Sequence, residues 1–137
     1  AALLLFNFML NYNFFPQLLK YQGGNEMVKA MKEKNISVPN EDIILVEPNA
    51  HSFDFYSGYN HALVSIDEMD EKYPLLDKKY FLVNRGDRDM LLQKGYRIEP
   101  LISQPDYNVA KVSLKFLNPS SREKRLDTLM LVRIYRE

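Results

Sequence analysis

The stretch Asp42-Ile43-Ile44-Leu45-Val46-Glu47-Pro48 decides how this 137-residue chain is read. Four large apolar residues stand in an unbroken row between an acid and a proline. The row is too short for a helix and lacks the alternation of a strand that is wet on one face. Such a run is a strand covered on both sides, the form typical of parallel sheets. Working outward, His61 to Ile66 and Tyr80 to Val83 supply two further strands, with a short helix over Ser52 to Tyr59 and an acidic helical turn over Asp67 to Tyr73 between them. Upstream, Gly23-Gly24 are expected to break the chain and Asn25 to cap an amphipathic helix carrying Met27, Val28 and Met31 on one face, stopped by Asn35. Downstream, Asp87 is expected to cap a helix running to Lys94, with Gly95 as its left-handed stop.

Beyond Gly95 the pattern changes. Tyr96 to Ser103, Asn108 to Leu117 and Thr128 to Arg136 read as strands with no helix between them, so they should pair antiparallel. Asn118 to Arg125 then reads as a charged hairpin loop. The expected architecture is α/β, with a mixed sheet, parallel in the first half and antiparallel in the last three strands, flanked by helices.

The first ten residues, Ala1 to Leu10, are apolar except for Asn7. As a helix they would span about 15 Å, roughly half the hydrocarbon core of a bilayer. No basic residue precedes Lys20, which argues against a signal peptide. The chain opens on Ala rather than Met and is expected to be part of a longer polypeptide. Residues 1–16 are then read as the remnant of a transmembrane helix and its exit segment, in which Asn11 to Phe15 cross the interface and Pro16 ends the helix. Residues 17–137 form one α/β domain. The alternative is a short apolar helix packed on the domain's own core.

Composition is that of an ordinary globular domain, 46% hydrophobic and 26% charged, with a net charge of +0 that calls for no nucleic acid. The basic residues lean toward the C-terminus: residues 105–137 hold seven Lys/Arg against four Asp/Glu. Without cysteine there is no disulfide, no thiolate metal site and no cysteine nucleophile. Neither GxGxxG nor GxxxxGK[ST] occurs, so no nucleotide site is assigned. Arg85-Gly86-Asp87 matches an adhesion tripeptide but stands where a strand turns into a helix. His51, Asp54 and His61 are the one grouping of metal-ligand type, yet they lack the usual compact spacing, and a polar loop between strand ends accounts for them better. No metal, cofactor or catalytic residue is assigned.

Two aromatic stretches, Phe15-Pro16-Gln17-Leu18-Leu19-Lys20-Tyr21-Gln22 and Ser52-Phe53-Asp54-Phe55-Tyr56-Ser57-Gly58-Tyr59, carry a more specific signal. Their order resembles the C-terminal region of bacterial membrane glycosyltransferases, the family of protein mannosyltransferases and of the transferase that adds aminoarabinose to lipid A. There a last transmembrane helix leads through a proline-containing aromatic segment into a helix and strand, and a short Phe-Tyr-Ser/Thr-Gly segment precedes the next strand. The resemblance implies an extracytoplasmic domain of an inner-membrane enzyme that takes its sugar from a polyprenyl-phosphate carrier. Its partners would be the membrane portion of the same polypeptide and a lipid-linked sugar or acceptor. The family's catalytic acids lie in its membrane half, so none transfers to this chain. The domain would cap the active site or help bind the acceptor, with Tyr21, Gln22, His51, Asp54, Tyr56, Tyr59 and His61 as candidate binding residues. A self-standing α/β module that binds a small ligand or a partner is the competing reading, and a soluble enzyme built on His51, Asp54 and His61 is a third.

Overall fold

A computed structural model describes residues 2–46, 51–107, 116 and 118–136, with the backbone alone for His51, Pro119 and Arg125. Among the described residues, five strands form one sheet in the order β2-β1-β3-β5-β4. β1 (Ile43–Val46) pairs in parallel with β2 (Ala62–Val64) and β3 (Tyr80–Val83). β5 (Asp127–Arg136) inserts antiparallel between β3 and β4 (Tyr96–Asp106). The mixed α/β sheet is therefore as expected. The expected strand over 108–117 lies outside the described residues except for Phe116, which is buried.

The row at 43–46 is buried at all four positions, and its alternating side chains divide between two cores. Ile44 and Val46 join Phe81, Val83, Val132 and Ile134 on one face, beneath α5 (Met69–Lys72) and α6 (Arg85–Gln93). Ile43 and Leu45 join Leu82, Leu129 and Leu131 on the other, beneath α3 (Gly23–Glu33) and α4 (His51–Ser57). Each large side chain buried this way contributes about 1.5–3 kcal/mol. On edge strand β4, Pro100 and Pro105 need no ladder partner for a missing N–H, and a register shift between Pro100 and Ile102 bends the strand.

Several local expectations are corrected. Gly23 and Gly24 do not break the chain: they form the buried first turn of α3, and Asn25 lies inside that helix rather than capping it. Asn84, not Asp87, is the N-cap of α6. Its side chain accepts from the Asp87 amide at 2.8 Å, and the Asp87 carboxylate accepts from the Asn84 amide at 3.2 Å, completing a capping box. Asp87 is buried, so the tripeptide 85–87 is a helix start and not an exposed adhesion loop. In place of a hairpin loop, α7 (Pro119–Arg122) and a single 3-10 turn (Glu123–Arg125) lead into β5. Asn35 and Gly95 stop their helices in the left-handed conformation, with φ of 51° and 86°.

The N-terminal helix does not end at Pro16. α1 (Ala2–Met9) passes through a π turn (Leu10–Phe14) into α2 (Phe15–Leu19) without a break. The Phe15 amide reaches back to the Leu10 carbonyl, five residues away. That wider turn gives the proline ring the room an α turn would deny it.

Candidate functional site

The sequence-derived candidates separate into three places. Asp54 and His61 meet: the His61 ring nitrogen Nδ1 lies 2.6 Å from Asp54 Oδ1, which also accepts the His61 amide at 3.2 Å. A carboxylate can only accept, so Nδ1 is the donor in this contact. Nε2 is buried and has no hydrogen-bond partner, and the ring lies 4.9 Å from both Phe53 and Tyr59. Two aromatic neighbours thus close over the pair, and it braces the turn between α4 and β2. His51 is the first residue of α4, at the opposite end of that helix from the turn. Among the described residues no group of three or more His, Asp or Glu could hold a metal ion.

Tyr56 lies farther along α4, with its hydroxyl 3.4 Å from Gln22 Oε1, and brings that helix against the start of α3. Tyr21 belongs to a third place, the base of the N-terminal helix. Its carbonyl accepts from the Tyr107 amide at 2.8 Å, and the next contact along, from the Gly23 amide to Asp106 Oδ1, is also 2.8 Å. Burial pushes the Asp106 carboxyl above its ordinary value, against the pull of the Gly23 amide. The Tyr21 ring packs edge-on against Phe116, which stacks on Tyr107 with centroids 3.7 Å apart. Arg122 covers the cluster, its guanidinium 5.3 Å from the Tyr21 ring centre, and donates to the Phe116 carbonyl at 3.0 Å.

Above this collar the helix is bare. None of the residues of α1 is buried, and Leu3, Leu4 and Leu5 are exposed by 70% or more. The alternative of a helix packed on the domain's own core is thereby overturned. Its amides pair within the helix, Asn11 on Asn7 and Gln17 on Asn13. Among the described residues no helix is long and apolar enough to cross a membrane.

A further cleft of about 240 Å³ opens past the end of β3, where β4 ends and β5 begins. Ser103, Gln104 and Pro105 of β4, Asp127 and Thr128 of β5, Glu123 and Arg85 line it. Arg85 donates to Thr128 Oγ1 at 3.1 Å, and its amide faces Asp127 Oδ1 at 3.4 Å. Sequence reasoning missed this grouping because its members come from three separate segments. The only sequence signal was their position at the ends of strands. The acidic run 67–71, by contrast, is explained by ion pairs: Asp67 with Lys94, Glu68 with Lys72 and Asp70 with Arg136. Hydrogen bonds from Lys94, Lys72 and Tyr96 respectively hold these three carboxyls below their ordinary values. Burial, helped by Asp70, pushes the Tyr96 phenol up to about 12.

Comparisons with protein-family models, with curated proteins and with solved structures found no match to this chain.

Proposed function

We propose that this chain is the extracytoplasmic domain of a polytopic membrane glycosyltransferase of the protein mannosyltransferase and lipid A aminoarabinose transferase type, which draws its sugar from a polyprenyl-phosphate carrier. In this reading the domain caps the active site or assists acceptor binding, while catalysis belongs to the membrane portion of the same polypeptide. The enzyme resides in the inner membrane, with this domain on the periplasmic side. One observation carries the proposal: an apolar helix with no buried residue, clamped at its base to a well-packed α/β body by Tyr21, Tyr107, Phe116 and Arg122. Water penalises such a surface, whereas lipid or neighbouring membrane helices would cover it. The pairing of its amides within the helix also suits a medium that offers them few other partners. The aromatic segments 15–22 and 52–59 support the family assignment.

The test is fractionation of source cells with an antibody raised against the α/β body. The expected result is a membrane-bound band several times heavier than 16.1 kDa. A soluble band near that mass would overturn the proposal and leave a self-standing module whose helix docks on a protein partner.

A further inference from the structure

We infer that the cleft between α3 and α4, walled by Val28, Met31, Ile36 and Phe53 and rimmed by Lys32 and Asn40, binds a small aromatic carboxylate. The inference stands apart from the function proposed above, because neither the apolar helix nor the clamp at its base takes part in it.

Geometry is the first argument. The cleft holds about 220 Å³ between matching faces of two helices. Val28, Met31 and Lys32 on α3, like Phe53, Tyr56 and Ser57 on α4, follow the spacing that puts residues on one side of a helix. Both faces lie over the core that contains Ile43, Leu45 and Leu82. Phe53 belongs to that core and is buried, whereas Val28, Met31 and Ile36 are half-buried and leave apolar surface open to a ligand. The volume falls below the ~300–1,000 Å³ of pockets for drug-sized ligands and suits one ring with a short acid arm. A flat ring is the shape that enters between two helices, and the Phe53 ring and the Met31 thioether are both favourable neighbours for an aromatic one.

Charge is the second argument. Among the described residues that line the cleft, Lys32 carries the single charge, and no acid opposes it. Lys29, the other lysine of this turn, is paired with Glu26 at 2.8 Å, but Lys32 has no ion pair among the described residues. Asp54, the acid of α4, is engaged by His61 and does not line the cleft. Asn40 adds a side-chain amide, so an ammonium and an NH₂ group can both donate to one carboxylate. The Ser57 hydroxyl is already given to the Asp54 carbonyl at 3.2 Å. The carboxyl ends of two helices lie at this end of the cleft, and open carbonyls there would repel an anion. Their last carbonyls are closed instead. Met31 accepts the Ile36 amide at 2.9 Å, Lys32 the Asn35 amide at 3.2 Å, and Asp54 the Gly58 amide at 3.0 Å. The charge that a ligand meets is therefore the lysine's.

The experiment uses the full chain in non-ionic detergent micelles at neutral pH, with backbone amide resonances followed while phenylacetate and indole-3-acetate are added separately. Three controls divide the ligand into its parts: 2-phenylethanol has the ring without the charge, acetate the charge without the ring, and cyclohexylacetate a ring that is not aromatic. At least one aromatic acid is expected to shift the Met31, Lys32 and Ser57 amides saturably with Kd about 1 mM, about tenfold tighter than 2-phenylethanol. Lys32→Gln should weaken binding of the acid about tenfold and abolish its preference over the alcohol. It should leave the unfolding midpoint in place, since Lys32 is exposed. Asn40→Ala should weaken the acid about threefold without changing the alcohol. Silence toward both aromatic acids, an equal response to any of the three controls, or undiminished binding in the Lys32→Gln variant would overturn the inference. The ligands are free in solution, so neither outcome of the fractionation bears on this result, and a silent titration would leave the glycosyltransferase proposal standing.

Discussion

A single hydrogen atom separates Gly24 from a clash. A methyl group there would come within 2.5 Å of the Phe53 amide nitrogen, which is backbone and cannot swing aside. Gly24→Ala should therefore cost about 1–3 kcal/mol in chemical denaturation, by forcing α3 away from α4. Gly58, with φ of 70° and open space around it, should cost about 1–2 kcal/mol for the backbone alone. Asp106 adds a pH dependence. Its pKa in the folded protein lies above the ordinary 3.8, so between those values the folded state keeps a proton that the unfolded chain has released. Its contribution to stability is full below the ordinary value and is lost as pH rises through the raised one. Asp67, Glu68 and Asp70 act in the opposite sense, since the stability from their lowered values is lost as the pH falls through them. Asp106→Asn isolates the first effect: from about pH 4 to pH 8 the variant should gain thermal stability relative to the parent. Parallel midpoint curves would refute that. Asp54→Ala should destabilise by about 1–3 kcal/mol, because the buried His61 ring and amide lose their acceptor. A double-mutant cycle with His61 should show a coupling of about 0.5–3 kcal/mol.

At the scale of elements, the N-terminal helix and the body answer to different forces. No residue from 2 to 20 is buried, so a chain lacking residues 1–13 should unfold at the same denaturant midpoint as the parent. Exchanging Leu3, Leu5 and Phe8 for Ser should leave that midpoint alone as well, while reducing recovery of the protein with membranes. Asn84→Ala should cost about 1 kcal/mol, the worth of a helix cap, measured by the same denaturation. These elements also show what could be read in advance. The row at 43–46 announced a strand covered on both faces because an uninterrupted apolar run has no other economical place. Gly23-Gly24 misled for a physical reason: glycine marks a turn as readily as a close approach, and only the three-dimensional neighbour, Asp106 or Phe53, tells which. Pro16 misled likewise, since a helix can widen by one residue to pass a proline when nothing packs against the wider turn.

For the molecule as a whole, the mixed sheet was legible because the change from helix-separated to directly connected strands is a change in sequence grammar. Strand order was not, since pairing is a long-range choice. Nor was the cleft, whose walls come from three segments brought together only by that order. Of the grouping His51, Asp54 and His61, the structure brings the last two into contact, and the histidine's environment of Phe53 and Tyr59 shows the pair serving the α4-to-β2 turn.

The position of β5 between β3 and β4 governs how the body comes into being. During synthesis the apolar helix emerges before the body, and β5 emerges after the other described strands of the sheet. Until β5 arrives, β3 and β4 have no common neighbour and Phe81, Leu82 and Val83 lack the strand that completes their surroundings. The apolar helix can thus meet a surface long before the body that follows it acquires a shape. The Tyr107 contact that fixes the direction of that helix is made in between, so attachment comes early and orientation comes late.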